Sequence, residues 1–130
     1  MVPGAQGIVG VAIVAVPILV AVVFHEVAHG AVAYAFGDPT AARAGRLTLN
    51  PIPHIDPFGT VILPGLLYLF SHGAFLFGYA RPVPVDFRQL RHPRRDTLLV
   101  ALAGPATNLV LATLSAFVLG LLPSPRVATA

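Results

Sequence analysis

The sequence has no cysteine and no lysine, and it has few charges of either sign. Without cysteine there are no disulfide staples, no iron–sulfur clusters and no thiolate zinc sites. Only 10% of the 130 residues are charged, whereas a soluble domain carries about 25% because its surface must be wetted. The scarcity is also uneven. Residues 1–24, 57–80 and 97–125 contain no Asp, Glu, Lys or Arg at all. A charge-free apolar run of about 18 residues or more is long enough to cross the hydrocarbon core as a helix. With 56% hydrophobic residues and a mean hydropathy of +0.82, the composition predicts an integral protein of the lipid bilayer. The net charge of +3 is supplied by arginines in short loops between apolar segments. That pattern fits a juxtamembrane loop and not a nucleic-acid surface.

The expected fold class is an all-α membrane protein, a single domain over 1–130. It has about three transmembrane or re-entrant helical segments, at 8–36, 58–79 and 97–122. In lipid the backbone must satisfy its own hydrogen bonds, so such segments are helices. Pro17 is expected to kink the first, and Gly37-Asp38-Pro39 to end it. A secretory signal peptide is disfavoured because there is no basic start to the segment. Residues 43–49 alternate weakly and are expected to form a short β-like segment. The second window is interrupted by Pro64-Gly65 and Ser71-His72-Gly73, so spanning and re-entrant forms both remain open. Residues 81–96 hold five of the eight arginines, and the positive-inside rule places this basic loop in the cytosol.

The chemistry sits inside the first apolar segment, at His25-Glu26-Val27-Ala28-His29. Positions i and i+4 share one helix face, so the two imidazoles can hold one metal ion. Glu26 lies one residue along, where a carboxylate can take a proton from water. Two His and a Glu in a lipid-embedded helix are costly unless paired or placed in a watery cavity, which marks them as functional. The expected metal is Zn2+, with His25 and His29 as ligands and Glu26 as catalytic base. A catalytic zinc usually has three protein ligands. The in-chain candidates for the third are His54 and Asp56, with a turn or cap beside Pro57 as the alternative role for Asp56. His72 and His92 read as loop residues.

The whole pattern resembles the site-2 protease family, the intramembrane zinc metalloproteases of the M50 type, in its short prokaryotic branch. The resemblance rests on His25–His29 with Gly30, Gly37-Asp38-Pro39-Thr40, Gly45-Arg46-Leu47-Thr48-Leu49-Asn50-Pro51, His54-Ile55-Asp56-Pro57-Phe58-Gly59-Thr60, Ala80-Arg81-Pro82-Val83-Pro84-Val85, and Arg94-Arg95-Asp96 leading to Ala103-Gly104-Pro105 and Asn108. It implies zinc on His25 and His29, Glu26 as general base, and cleavage of a partner's transmembrane segment in a prokaryotic inner (plasma) membrane. Residues 43–49 would then be an edge that holds the unwound substrate by β-addition. Family members carry a later helix with a Leu-Asp-Gly motif whose Asp is the third ligand. No Asp follows Asp96 here, so the expectation is a chain incomplete at its C-terminus, possessing a two-His site. The alternatives are a catalytically dead homologue that binds membrane proteins, and a metal-ion carrier.

Overall fold

The computed structural model describes residues 3–124, with side chains described from residue 7 onward. Two long helices dominate, α1 (Pro3–Ala35) and α4 (Pro93–Leu121). Between them lie α2 (Thr40–Arg43), a 3-10 turn at Ile52–His54, a π-helical run at Pro57–Ile62 continuing into α3 (Leu63–Phe70), and a 3-10 turn at Phe87–Gln89. α1 and α4 pack along each other and form the frame.

Each long helix holds a candidate span of 29 residues, Gly7–Ala35 and Pro93–Leu121, which at about 1.5 Å per residue exceeds the roughly 30 Å hydrocarbon core. Their outer faces are apolar and open, as at Ile8 (73% exposed) and Leu119 (70% exposed). These two helices are therefore long and apolar enough to cross a membrane. In lipid such faces gain nothing by clustering, so association depends on close packing and polar contacts. Small residues supply the closeness, Gly104 where α4 meets α1 and Gly30 where α1 meets α2 and the turn after it. A Cβ at Gly30 would meet Leu47 Cδ2 at 2.7 Å and Ala41 Cβ at 2.9 Å. Ala33, Leu90 and Val100 form the buried centre, flanked by Val32, Phe36 and Val85.

α1 ends as its sequence predicts. Gly37 takes a positive φ of 110°, and the Asp38 N–H returns to the Ala33 carbonyl at 2.9 Å. This is the six-residue closure of a glycine-terminated helix. The buried Asp38 carboxylate then ties the corner together. It accepts from the Thr40 hydroxyl and backbone N–H, and from the Asp86 N–H at 2.8 Å. α4 starts at Pro93, a favoured first helical position. The buried Asp96 reaches back to the His92 N–H at 2.9 Å and pairs with Arg95 at 3.0 Å.

One open alternative narrows and one expectation changes. Of the forms open to the 58–79 window, one long spanning helix is not seen, since Pro57–Phe70 is an apolar helix too short for a span. The chain turns at Ser71–Gly73, where His72 has φ 53° and Gly73 φ 81°, and returns without regular structure. The return leg is held at its base, where the Tyr79 N–H bonds the Gly59 carbonyl at 2.9 Å and Thr60 Oγ1 donates to the Tyr79 carbonyl at 2.9 Å. The correction concerns 43–49. Arg43 closes α2, and turns and bends follow. Among the described residues there is no strand. The alternation there arises from turns that pack Leu47 against α1 at Gly30, so no β-edge is available at that place.

Candidate metal centre

His25, Glu26 and His29 sit on α1 where α4 crosses it, and all three are half-buried. The helical spacing brings the two imidazoles edge to face, with ring centroids 4.6 Å apart and the two Nε2 atoms 3.0 Å apart. α4 holds each ring from behind. His29 Nδ1 donates to the Val100 carbonyl at 2.6 Å. That bond fixes the proton on Nδ1 and leaves a lone pair on Nε2. His25 Nδ1 faces Asn108 Nδ2 at 3.1 Å. In this arrangement the His25 Nε2 proton points to His29 Nε2. The Asn108 Oδ1 atom, meanwhile, is buried without a partner. Turning the amide end for end presents Oδ1 to His25 Nδ1 and frees the second Nε2.

This donor set fits a metal. Two nitrogen ligands on one tetrahedral zinc sit about 3.3 Å apart, from Zn–N lengths of about 2.0–2.1 Å, close to the separation seen. Gly104 keeps the position open. A Cβ there would lie 2.5 Å from His29 Nε2 and 2.6 Å from His25 Nε2. Any larger residue would fill the place where the two nitrogens meet.

Neither expected third ligand joins the pair. Asp56 is a helix cap. It accepts from the Phe58 N–H at 3.0 Å and the Gly59 N–H at 2.8 Å, the role Pro57 beside it favours. His54 is fully buried and both of its nitrogens are engaged. Arg46 Nη2 donates to Nδ1 at 3.3 Å, so Nε2 carries the proton and donates to the Thr48 carbonyl at 2.9 Å. Among the described residues no group of three His, Cys, Asp or Glu side chains gathers in a ligating arrangement.

Glu26 is held by something the motif does not contain. Its Oε2 accepts from the backbone N–H of Val83 at 2.8 Å, 57 residues away. Arg46, 6% exposed, stands behind that segment and donates to the carbonyls of Arg81 at 2.6 Å and Pro82 at 3.3 Å. Burial draws the Arg46 guanidinium below the usual arginine range, the charge of Arg81 adds to this, and Glu26 opposes it. In the sequence, Gly104 and Asn108 stand only within a motif block, with no link to the histidines. Arg46 and Val83 had no separate signal beyond their motif blocks.

Peptidase family M50 matches residues 13–129. The protein of Bacillus subtilis described as "Putative zinc metalloprotease YwhC" is 47% identical over 107 residues, covering 82% of this chain and 45% of that protein. The Rip2 proteins of Mycolicibacterium smegmatis and Mycobacterium tuberculosis strain H37Rv carry the same description. They are 36% and 40% identical over 96 residues, covering 74% of this chain and 35% of each. The chain thus spans less than half the length of these relatives. No solved structure matches it.

Proposed function

This chain belongs to peptidase family M50, and from that premise we propose that it carries the zinc-binding and general-base part of an intramembrane metalloendopeptidase. The observation that carries the reading is the pair of Nε2 atoms 3.0 Å apart on a helix apolar enough to span the membrane. His25 and His29 would hold the zinc. Bound there, zinc supplies a Lewis acid that polarises a peptide carbonyl and lowers the pKa of water towards about 7.

The chain's own residues do the rest. The His29 bond to Val100 and the His25 contact with Asn108 orient the imidazoles. The Val83 N–H holds one Glu26 oxygen. Glu26 takes a proton from the attacking water as the new C–O bond forms. It passes that proton to the leaving amine as the C–N bond breaks, and two peptides result. The proposed substrate is the transmembrane segment of another protein, in a prokaryotic inner membrane with the 81–96 loop on the cytosolic side.

The test uses the chain purified in detergent, with zinc stoichiometry and cleavage of a model transmembrane substrate measured for wild type and Glu26→Gln. The expected result is bound zinc in both and cleavage only with Glu26. A chain that binds no zinc, and whose cleavage is indifferent to Glu26, overturns the proposal. A second reading has one observation in its favour. With His54 and Asp56 engaged elsewhere, the pair lacks a third ligand among the described residues, as in a homologue that binds membrane proteins without cutting them. Zinc bound without cleavage would favour it.

A further inference from the structure

We infer that Arg46 is a positioning residue for Glu26, acting through the backbone of residues 81–83. The inference rests on the proposed role of Glu26 as base.

The connection is a chain of short bonds. The Arg46 guanidinium donates to two successive carbonyls, Arg81 at 2.6 Å and Pro82 at 3.3 Å. The next peptide N–H, that of Val83, donates to Glu26 Oε2 at 2.8 Å. A peptide unit is planar, so fixing the Pro82 carbonyl fixes the direction of the Val83 N–H bonded to the same carbon. The other side of the segment is pinned as well, because the Arg81 N–H donates to the His54 carbonyl at 2.9 Å. His54 in turn accepts from Arg46 and donates to Thr48. Arg46 itself is seated by its own N–H on the Ala41 carbonyl at 3.0 Å.

Sequence alone would leave this segment loose. Residues 81–86 have no regular structure, and Pro82 and Pro84 lack the N–H groups through which a neighbouring strand could hold them. Arg81 and Pro82 are exposed, whereas Val83 is buried. The forked guanidinium replaces a strand partner, since it can address two carbonyls at once. A lysine carries its donors on one nitrogen and cannot reproduce the rigid two-nitrogen fork. Arg46 touches neither His25 nor His29 through any hydrogen bond in the structure. Its effect is therefore on the base and not on the metal.

Hydrogen exchange reads the arrangement directly. The prolines at 82 and 84 have no amide hydrogen, so the Val83 amide stands alone between two silent positions. The experiment compares wild type, Arg46→Met and Arg46→Lys in detergent, following Val83 exchange, zinc affinity, thermal unfolding and cleavage kinetics. In Arg46→Met, Val83 exchange is expected to rise about tenfold or more. Its kcat is expected to fall about 10- to 100-fold with KM within about twofold. Zinc affinity should stay within about twofold of wild type, because the metal-facing nitrogens are not involved. Arg46→Lys is expected to fall between the two, and it decides the question if Arg46→Met does not fold. Val83 exchange as slow as wild type in a folded variant overturns the inference. So does a loss of zinc affinity equal to the loss of kcat. If the wild-type chain cuts nothing, the proposed activity fails, and Val83 exchange with zinc affinity still decides what Arg46 does.

Discussion

Two histidine sites lie in this molecule, and they are built on opposite terms. His54 is fully buried, and each ring nitrogen has a partner of the complementary kind, Arg46 on one side and Thr48 on the other. His25 and His29 are half-buried and supported only from behind, by Asn108 and Val100. Their forward nitrogens face each other. A satisfied histidine is structure, since moving it leaves groups unpaired. A pair of imidazoles aimed at one point has capacity to spare, and that capacity is what a metal uses. The difference comes from surroundings and not residue type. Arg46 can only donate, so it fixes the His54 tautomer, whereas Gly104 offers the His25–His29 pair nothing but space.

The comparison can be broken from either side. The largest effect is expected for His29→Ala, which removes half of the donor pair. Zinc affinity should fall about a hundredfold or more, as measured by competition with a chromophoric chelator. Asn108→Ala comes next. It takes away only the support behind His25, and a loss of about 10- to 100-fold in zinc affinity is expected, the usual worth of a partner that orients a ligand. His54→Ala should invert the pattern. Zinc affinity stays within about twofold, while the lost His54 bonds to Arg46 and the Thr48 carbonyl cost about 1–3 kcal/mol of stability, visible as a lower unfolding temperature. If His54→Ala released zinc and left stability intact, the contrast between the two sites would be lost.

The smallest effect is a baseline for both sites. Asp86 caps the Phe87–Gln89 turn, and its carboxyl is held below the usual carboxylate range, first by the Arg88 side chain, then by Gln89 and the Arg88 N–H. A depressed folded pKa gives stability that is present above the unfolded value, about 3.9, and lost as pH falls through the folded one. Asp86→Asn should therefore flatten a slight loss of stability below about pH 4 and leave zinc binding at neutral pH unchanged.

The His25–His29 pair was legible in the sequence because its geometry is local. Four residues along a helix is a fixed vector, and apolar context made the polar residues conspicuous. The end of α1 at Gly37 was legible for the same reason. His54 and Asp56 show where locality stops. Both are ligand types in a proline-rich turn, but Asp56 is drawn to the two free N–H groups after Pro57, and His54 to Arg46 eight positions back. The support of Glu26 was out of reach altogether, since its partner is a backbone N–H that no side-chain motif encodes. Composition left the 58–79 window open between spanning and re-entrant forms. Its apolar run suits lipid, but the turn at Ser71–Gly73 divides it, and Gly59 and Gly78 let its two legs meet closely.

The supports behind the two imidazoles come from α4, at separations of 71 and 83 residues along the chain. A polypeptide is made from its N-terminus, so α1 reaches the bilayer with two histidines and a glutamate before α4 exists. During that interval the three groups have no fixed partners in an apolar medium, at a cost of several kcal/mol. The Val83 N–H relieves Glu26 first, and the arrival of α4 relieves the imidazoles by delivering the Val100 carbonyl, Asn108 and the gap at Gly104 together. On the proposed reading, completion of the centre is therefore a late event in biogenesis, and the metal site forms only once α1 and α4 have found each other.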